Sequence, residues 1–270
     1  MKNKPKVILF DIETSLMINY TFTLWPDNIG TNNIHQDWFV ISACWKELGK
    51  KKVHSISIND FKRKSATDDS VVVKTLRDAL SEADIVIGHN SDKFDIKKLN
   101  TRLMVNRLQP LEKVIQIDTL KEIKKIASFS SNRLDYLCQV LLGVGKAKTS
   151  EGLWVRATNG DKASVNEMVK YNKVDVVRLE ELYLIMKPYM KSHPHVGAMQ
   201  DKDRHTTCPS CGGNSFDKSH DKIRYTAAGV KKLQRQCADC HKYSTFTICK
   251  PNAPFAEKVA KRKLKRTRSR

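Results

Sequence analysis

Apolar residues in the first 190 positions fall into short runs separated by polar turns. A β-branched run at 6–10 predicts a buried strand near the start of the chain. Runs at 39–45 and 53–58 predict two antiparallel strands, which a Gly-Lys-Lys-Lys turn at 49–52 separates. Runs at 83–87 and 114–118 predict two further strands.

Between these runs the apolar positions recur at helical spacing. Residues 71–80 predict a crossover helix, and residues 134–142 a short helix that Gly143 ends. A third helix begins near Asp95, and a long amphipathic helix begins near Ser164. The apolar positions assigned to these two helices are Ile96, Leu99, Leu103 and Met104 in the first, and Met168, Val169, Val176, Leu179, Leu182 and Ile185 in the second. Strands that alternate with helices predict an α/β fold.

Acidic residues stand at notable places in this pattern. Asp11 and Glu13 follow the first strand and share one side of it, so a divalent cation between them would relieve their repulsion. Two solvated acids at a strand end are the alternative. Asp95 in a first helical turn suits the helix dipole without any metal. Tyr171 and Asp175 are four apart and share a helix face, as ordinary surface pairs also do.

The order and types of these residues resemble the DEDD superfamily of 3'-to-5' exonucleases, which have an RNase H-like mixed sheet flanked by helices. Asp11-Ile12-Glu13-Thr14 is similar to the first exonuclease motif, Asn90 with Phe94-Asp95 to the second, and Tyr171-x-x-x-Asp175 to the third. The tyrosine is typical of the DEDDy subclass and of the proofreading domains of B-family DNA polymerases. The sister subclass has a histidine at the position that Lys170 occupies here.

The resemblance implies a site for two Mg²⁺ or Mn²⁺ ions. Asp11 would bridge both ions, Glu13 and Asp175 would complete the first, and Asp95 would support the second partly through water. Tyr171 would orient or help activate the attacking water. The predicted substrate contacts are Asn90, Phe94 and Thr14, although a core anchor is favoured for Phe94 when it is considered alone. A structural role is favoured for His89, and a helix cap for Asp118.

One insertion, residues 19–38, carries Tyr20, Phe22, Trp25 and Trp38 among polar residues. Aromatic side chains beside a nuclease strand suit stacking against the bases of a single strand. Packing as a lid on the core is the equal alternative.

A second module contains two CxxC pairs, Cys208 with Cys211 and Cys237 with Cys240. Two such pairs predict one tetrahedral structural Zn²⁺, and residues 208–246 resemble the zinc ribbons of transposases and other nucleic-acid enzymes. Disulfides are disfavoured because the seven cysteines are odd in number and no secretory segment is found. Unligated thiols are predicted for Cys44, Cys138 and Cys249, the first two of them buried.

The predicted domain organisation is an exonuclease domain at 1–190, a linker at 191–207, a zinc ribbon at 208–250 and a disordered basic tail at 251–270. The net charge is +20, and residues 201–270 hold 18 basic and 6 acidic residues. Such a concentration of positive charge predicts a nucleic-acid partner. A solvated tail or a nuclear-localisation patch is the alternative for residues 261–270.

The resemblance therefore implies a two-metal 3'-5' exonuclease that acts on single-stranded or frayed ends of DNA in replication, repair or recombination. RNA is the alternative substrate, and a DNA polymerase or other replication protein is a candidate partner. A structure-selective endonuclease or resolvase and a non-catalytic zinc-ribbon binding protein are the rival hypotheses. No apolar run reaches the roughly 18 residues of a membrane helix, so no membrane partner is predicted. The expected location is the reducing cytoplasm, in association with the nucleoid. If a virus encodes the protein, the corresponding location is the cytoplasm of the host cell.

Overall fold

The structure is a computed structural model that describes residues 4–26, 28–145 and 148–248. It divides into two compact units, Met1–Pro194 and His195–Arg270. The basic tail predicted at 251–270 and the thiol of Cys249 lie outside the described residues. Within the described part of the chain, no helix is both long and apolar enough to cross a bilayer.

The first unit is built on a mixed sheet in which five strands lie side by side in the described residues. Their order across the sheet is β5 Val53–Ser57, β4 Val40–Glu47, β1 Val7–Thr14, β6 Ile85–Gly88 and β7 Ile115–Asp118. Strand β1 pairs antiparallel with β4 and parallel with β6. Two short strands form a separate hairpin within the aromatic insertion. This hairpin consists of β2 Ile18–Asn19 and β3 Ile34–Gln36.

Six α-helices accompany this sheet in the described part of the first unit, and the combination of helices and sheet confirms the predicted α/β class. They are α1 Ser70–Ser81, α2 Asp95–Val105, α3 Thr119–Ile126, α4 Leu134–Leu142, α5 Leu153–Thr158 and α6 Lys162–Met186. Helix α4 ends at Gly143, whose φ of 68° lies in the left-handed region that glycine adopts without strain. Helix α6 begins where the Asp161 carboxylate accepts the Ser164 backbone N–H.

Side chains on the two faces of β1 contact different parts of the protein, because side chains alternate along a strand. Ile8, Phe10 and Ile12 are buried in a core shared with apolar residues of α1 and α2, such as Leu76 and Leu99. The alternate positions, which include the two acids of the first motif, face the side where α6 packs on the sheet. On the other face Val7 and Leu9 are also buried, so Asp11 and Glu13 lie at the end of a strand whose apolar part is packed on both sides.

A buried ion pair joins α2 to the segment before α1. The Arg102 guanidinium donates to Asp69 through Nε at 2.7 Å and Nη2 at 2.9 Å. Asp69 is fully buried and also accepts the Val40 backbone N–H at 2.9 Å. A charge removed from water in this way requires its partner, so the pair links α2 firmly to the start of β4.

Several details of the helices differ from the prediction. Met104 is 71% exposed, and Ile185 is exposed while Met186 is buried. Both residues lie within the predicted helices but near the C-terminal end of each, where one step of about 100° turns a side chain from core to solvent. Helix α5 was not predicted, since six residues are too few to show a helical period.

The aromatic insertion does not form a lid on the core. Phe22 and Trp25 are 105% and 91% exposed, and Tyr20 is also exposed. Only Trp38 is partly buried and packs against the core. The lid interpretation is therefore wrong for the first three aromatic residues, and base stacking stays a prediction.

The described part of the second unit contains a small antiparallel sheet in which the middle strand of the sequence lies between the other two. Its elements are helix α7 Val196–Met199 and strands β8 Phe216–Tyr225, β9 Lys231–Cys237 and β10 Tyr243–Thr247. Helix α7 lies within the segment predicted as a linker, and His195 caps it by accepting the Ala198 N–H. Phe216 and Phe246 pack edge to face with centroids 5.2 Å apart, which gives this sheet a small apolar face.

Candidate functional site

Three carboxylates that lie far apart in sequence meet at one point of the first unit. Asp11 and Glu13 come from β1, and Asp175 comes from α6. One carboxylate oxygen of each lies within 4.8 Å of the other two. The strand alternation places the two acids of β1 on the side of α6, and the packing of α6 on β1 brings the third acid to them.

The cluster holds its protons unusually tightly. Burial, and then the neighbouring carboxylates, raise the pKa of Asp11 well above its usual range. Burial and the charge of Asp175 raise the pKa of Glu13 to about 8. A pocket that disfavours several negative charges becomes favourable for them when a cation binds, and hard oxygen donors are the ligands that Mg²⁺ and Mn²⁺ prefer. The residues present therefore fit a divalent metal.

Asp95 lies beside this group of three acids but outside it. It is the first residue of α2, is 3% exposed, and accepts the Ile12 backbone N–H at 3.3 Å. Burial raises its pKa to about 7, and its charge is the largest carboxylate contribution to the raised pKa of Asp11. The sequence left two alternatives for Asp95, a helix-dipole partner or a member of the acidic site. The residue lies both in the first turn of α2 and beside the acids.

Tyr171 stands one helical turn before Asp175, to which its hydroxyl is hydrogen-bonded. Burial raises the pKa of the phenol far above neutrality, and the negative charges of Asp175 and Glu13 raise it further. The hydroxyl therefore keeps its proton at neutral pH. It can donate to one oxygen and accept from another, but it cannot act there as a phenolate base.

Asn172 is a site residue that the sequence analysis missed. Its side chain is fully buried, and its Nδ2 donates to Asp11 Oδ2 at 2.5 Å. Its Oδ1 is buried and has no hydrogen-bond partner among the described residues. The available signal was its spacing, because a residue three before Asp175 lies on the same helix face.

Trp154 is the second residue that was missed. This half-buried side chain of α5 hydrogen-bonds the Glu13 carboxylate and meets the Tyr171 ring edge to face at 6.0 Å. Indole nitrogen can only donate, so the N–H points at the carboxylate. No local sequence signal marks it, since its role depends on α5 packing against α6.

Asp118 organises the loop that carries the second motif. Its carboxylate accepts the Leu120 and Lys121 N–H groups, so the predicted helix cap is confirmed. The same carboxylate also accepts the N–H of Asn90 at 2.9 Å and of Asp92 at 3.3 Å. The cap therefore fixes the loop before α2 as well as the start of α3.

The backbone of this loop is tightly folded. Asn90 adopts a φ of 66°, which asparagine tolerates better than most residues. A Cβ at Gly88 would lie 2.4 Å from the Ser91 Cβ, so only glycine fits there. The neighbouring His89 bonds Thr119 through Nδ1 and the Asn132 carbonyl through Nε2, each at 2.9 Å. Both ring nitrogens are occupied, which agrees with the favoured structural role.

The remaining predicted substrate contacts lie close to the acids in the chain. Thr14 ends β1 opposite Val40, where the register shifts. Phe94 directly precedes Asp95 and is 38% exposed, so the core-anchor interpretation is wrong. The Lys98 ammonium lies 5.6 Å from the Phe94 ring centroid and 3.4 Å from that of Trp38. A partly exposed ring with a cation beside it is suited to a nucleotide.

In the second unit, the four cysteines of the CxxC pairs form one cluster. The Sγ atoms of Cys208 and Cys240 are 3.6 Å apart, and those of Cys211 and Cys237 are 3.5 Å apart. Thiolates bound tetrahedrally at about 2.3 Å from Zn²⁺ lie about 3.8 Å from each other, so the spacing fits that ion.

The thiol chemistry also agrees with metal binding. A hydrogen bond from Cys208 lowers the pKa of Cys240 to about 5, which makes one thiolate available at neutral pH. Outside this cluster Cys44 and Cys138 are buried, as predicted, and burial raises the pKa of both thiols.

Residues 29–187 match the protein-family model RNase_H_2, which is described as RNase_H superfamily. The match covers more than half of the chain and includes Asp95 and Asp175, but it begins after Asp11 and Glu13. A search of curated proteins found no match. Among solved structures, the chain is similar to the family B DNA polymerase from the hyperthermophilic archaeon Pyrobaculum calidifontis. The identity is 16%, the match covers 69% of this chain and 25% of the polymerase chain, and the TM-score is 0.49. The chain thus spans about a quarter of the length of that polymerase.

Proposed function

The chain belongs to the RNase H superfamily, and from that premise we propose that it is a metal-dependent nuclease that removes nucleotides from the 3' end of DNA. The observation that carries the proposal is the meeting of Asp11, Glu13 and Asp175 within 4.8 Å on one face of the sheet. The DEDDy assignment rests on Tyr171, whose hydroxyl bonds the last of these acids.

These three carboxylates would hold the metal, with Asp95 beside them. Bound divalent ions would supply Lewis acidity at the phosphoryl group and neutralise the charge of the acids. The amide of Asn172 holds Asp11 in one orientation, and the indole of Trp154 does the same for Glu13. This support reduces the reorganisation that the site needs when substrate binds.

Tyr171 acts as a positioning group in this proposal. Its protonated hydroxyl donates to Asp175, and its oxygen lone pairs can accept a hydrogen bond from an attacking water. We therefore assign it the orientation of the water rather than the removal of its proton. A variant Tyr171→Phe should lower kcat with little effect on KM, because it removes a contact made to the attacking group and leaves the substrate contacts in place.

The experiment uses single-stranded DNA and matching RNA, labelled at the 5' or the 3' end, in Mg²⁺ or Mn²⁺. Wild-type protein should give stepwise ladders from the 5'-labelled DNA, and both Asp11→Ala and Asp175→Ala should abolish them. The exposed Glu112→Gln variant, which also removes one negative charge, should cleave normally. Nicking of a covalently closed circle would favour an endonuclease, and ladders from RNA alone would make the enzyme an RNase. Binding without metal-dependent cleavage of any substrate would overturn the proposal.

The exposed aromatic residues of the insertion are proposed to stack on the bases of the substrate strand. Phe22 and Trp25 lie in the chain segment that follows β1 and are almost fully exposed. Base stacking on an aromatic ring contributes about 1–3 kcal/mol, so the double variant Phe22→Ser and Trp25→Ser should raise KM for single-stranded DNA at least fivefold. Leu24→Ser is the matched control, because Leu24 is 90% exposed but has no ring. Equal effects of both variants would exclude stacking.

A further inference from the structure

The second unit presents one polar face of its sheet that the nuclease chemistry does not use. Directly opposed residues in antiparallel strands point to the same side. Arg224 and Thr247 both pair with Lys232, while Lys222 and Thr245 both pair with Gln234. The face defined by Lys222, Arg224, Lys232, Gln234, Gln236, Tyr243, Thr245 and Thr247 is called the basic face below.

Side-chain contacts confirm that these residues share a side. The Arg224 Nε donates to Gln234 Oε1 at 3.0 Å, and the Lys232 ammonium donates to Thr247 Oγ1 at 2.9 Å. On β10 the residues of the basic face are exposed, whereas the alternating Ser244 and Phe246 are buried. The apolar contacts of this unit therefore lie on the opposite side of the sheet.

The basic face carries three positive charges without carboxylate partners. Lys222, Arg224 and Lys232 form no ion pair within the described part of the chain, and their hydrogen bonds go to neutral groups. On the other side of the sheet, Arg235 is neutralised by Asp221 at 3.1 Å. Arg235 on the apolar side therefore has a carboxylate partner, whereas the three cations of the basic face have none among the described residues.

Two further groups define the edge of this surface. Tyr243 is 47% exposed, and the ring of His220 meets it edge to face at 6.0 Å. Asp217 pairs with Gln236 at the far end of the face, where its carboxylate is held by Ser219 and by His220 at 3.0 Å. The only acid on this face among the described residues is therefore already engaged, and an exposed aromatic ring lies close to it.

We propose that the basic face binds the phosphate backbone of single-stranded nucleic acid, with Tyr243 stacking on a base. Strands in a sheet are about 4.8 Å apart and alternate residues about 7 Å, so the three cations lie within roughly 10 Å of each other. Cations this close can neutralise neighbouring phosphates of one strand. The Gln and Thr side chains between them are polar, so a charged backbone can lie on this face without contacting apolar groups. The inference rests on the proposed function for the identity of the strand, but it concerns binding and not cleavage.

The test compares two lysines that are adjacent on one strand. Lys231 and Lys232 both lie on β9, but Lys231 faces the opposite side and is exposed. The zinc-loaded protein of residues 1–270 is titrated, in buffer without Mg²⁺ or Mn²⁺, into fluorescein-labelled single-stranded DNA or RNA of the same sequence. Anisotropy is measured between 50 and 300 mM NaCl, and zinc content and circular dichroism verify that each variant is folded.

Each phosphate contact contributes about 0.7 to the magnitude of the slope of log K against log salt concentration. Relative to the affinity at 1 M salt, one contact therefore increases the affinity at 0.1 M about fivefold. Lys232→Ala should therefore weaken binding about fivefold and lower the slope by about 0.7, whereas Lys231→Ala should change affinity less than twofold. The triple variant Lys222→Ala, Arg224→Ala and Lys232→Ala should lose about 100-fold. Tyr243→Ser should weaken binding without changing the slope.

Equal losses for Lys231→Ala and Lys232→Ala would show only a long-range charge effect and would overturn the proposal. Unchanged nucleic-acid binding by the triple variant would also overturn the proposal. An acidic protein would then be the candidate ligand of the basic face. Failure of the proposed nuclease has a different signature, because wild-type protein would then bind without cleaving in any metal. That outcome would leave the charge-dependent binding intact.

Discussion

The most direct test of the acidic site is the metal-free stability of Glu13→Gln. The pKa of Glu13 is about 8 in the folded protein, against 4.5 for an unburied glutamate, because of burial and the charge of Asp175. The unfolded chain therefore releases this proton at lower pH than the folded one. Wild-type protein is relatively more stable below pH 4.5 and loses this stability as the pH rises to 8.

The magnitude follows from the same two values. One pKa unit corresponds to about 1.4 kcal/mol, so ionisation of Glu13 costs roughly 4 kcal/mol at pH 8 and about 1 kcal/mol at pH 5. Glutamine at this position carries no charge, and its carbonyl can still accept the bond from Trp154. Allowing for imperfect packing of the amide, Glu13→Gln should be about 2–4 kcal/mol more stable than wild type at pH 8. At pH 5 the two proteins should differ by about 1 kcal/mol or less.

Urea unfolding followed by tryptophan fluorescence reports on the first structural unit, which contains Glu13. All four tryptophans, Trp25, Trp38, Trp45 and Trp154, lie before residue 195. The protein is kept zinc-loaded, in buffers freed of Mg²⁺ and Mn²⁺. The exposed Glu112→Gln variant should differ from wild type by less than about 0.5 kcal/mol at either pH.

Addition of Mn²⁺ at pH 8 should reverse the order, because metal binding stabilises the folded state of the protein that holds it better. A Glu13→Gln protein no more stable than wild type at pH 8 without metal would refute the electrostatic reasoning. A stable variant that still cleaves DNA at the wild-type rate would show that the cluster is not the metal site.

Three further predictions follow from the contacts described above. Asn172→Ala should weaken Mn²⁺ binding roughly tenfold, measured by calorimetry, because Asp11 loses its orienting donor; unchanged affinity would make the contact merely structural. Arg102→Met should lower the free energy of unfolding by about 3–5 kcal/mol, since Asp69 would remain buried without its partner; a loss below about 1 kcal/mol would contradict that account. Cys237→Ser should remove one bound zinc per chain and expose residues after 195 to protease while the tryptophan unfolding curve stays unchanged; retained zinc would exclude the four-cysteine site.

Much of the fold was predictable because its elements are locally encoded. The residues of α4 and its glycine end were predicted correctly, and Asp118 was recognised as a cap from its place before a helix. The α/β class is confirmed by the mixed sheet and by the family match. Exposure near helix ends was harder to predict, as Met104 and Ile185 show. Their apolar character indicates a helix face but does not indicate where the neighbouring elements stop.

The candidate site divides in the same way. The motif acids are identified from sequence through their resemblance to exonuclease motifs, and the four cysteines through their paired spacing. The structure brings Asp11, Glu13 and Asp175 into one group and the cysteines into another. Their roles in binding and catalysis remain predictions for the experiments above. Asn172 and Trp154 were not identified, since nothing about either residue signals a role until α5 and α6 pack beside β1.

Most of the sheet strands and the longer helices, the residue types that could bind metal, and the concentration of positive charge in residues 201–270 follow from the sequence alone, because periodicity, spacing and charge are local properties of a chain. Only the tertiary structure decided which oxygens meet within 4.8 Å, which amide and indole hold them, and which lysines of β9 share a face with Arg224. Those relations depend on packing between segments that are distant in sequence, and the energies of burial and of charge repulsion exist only once the segments are assembled.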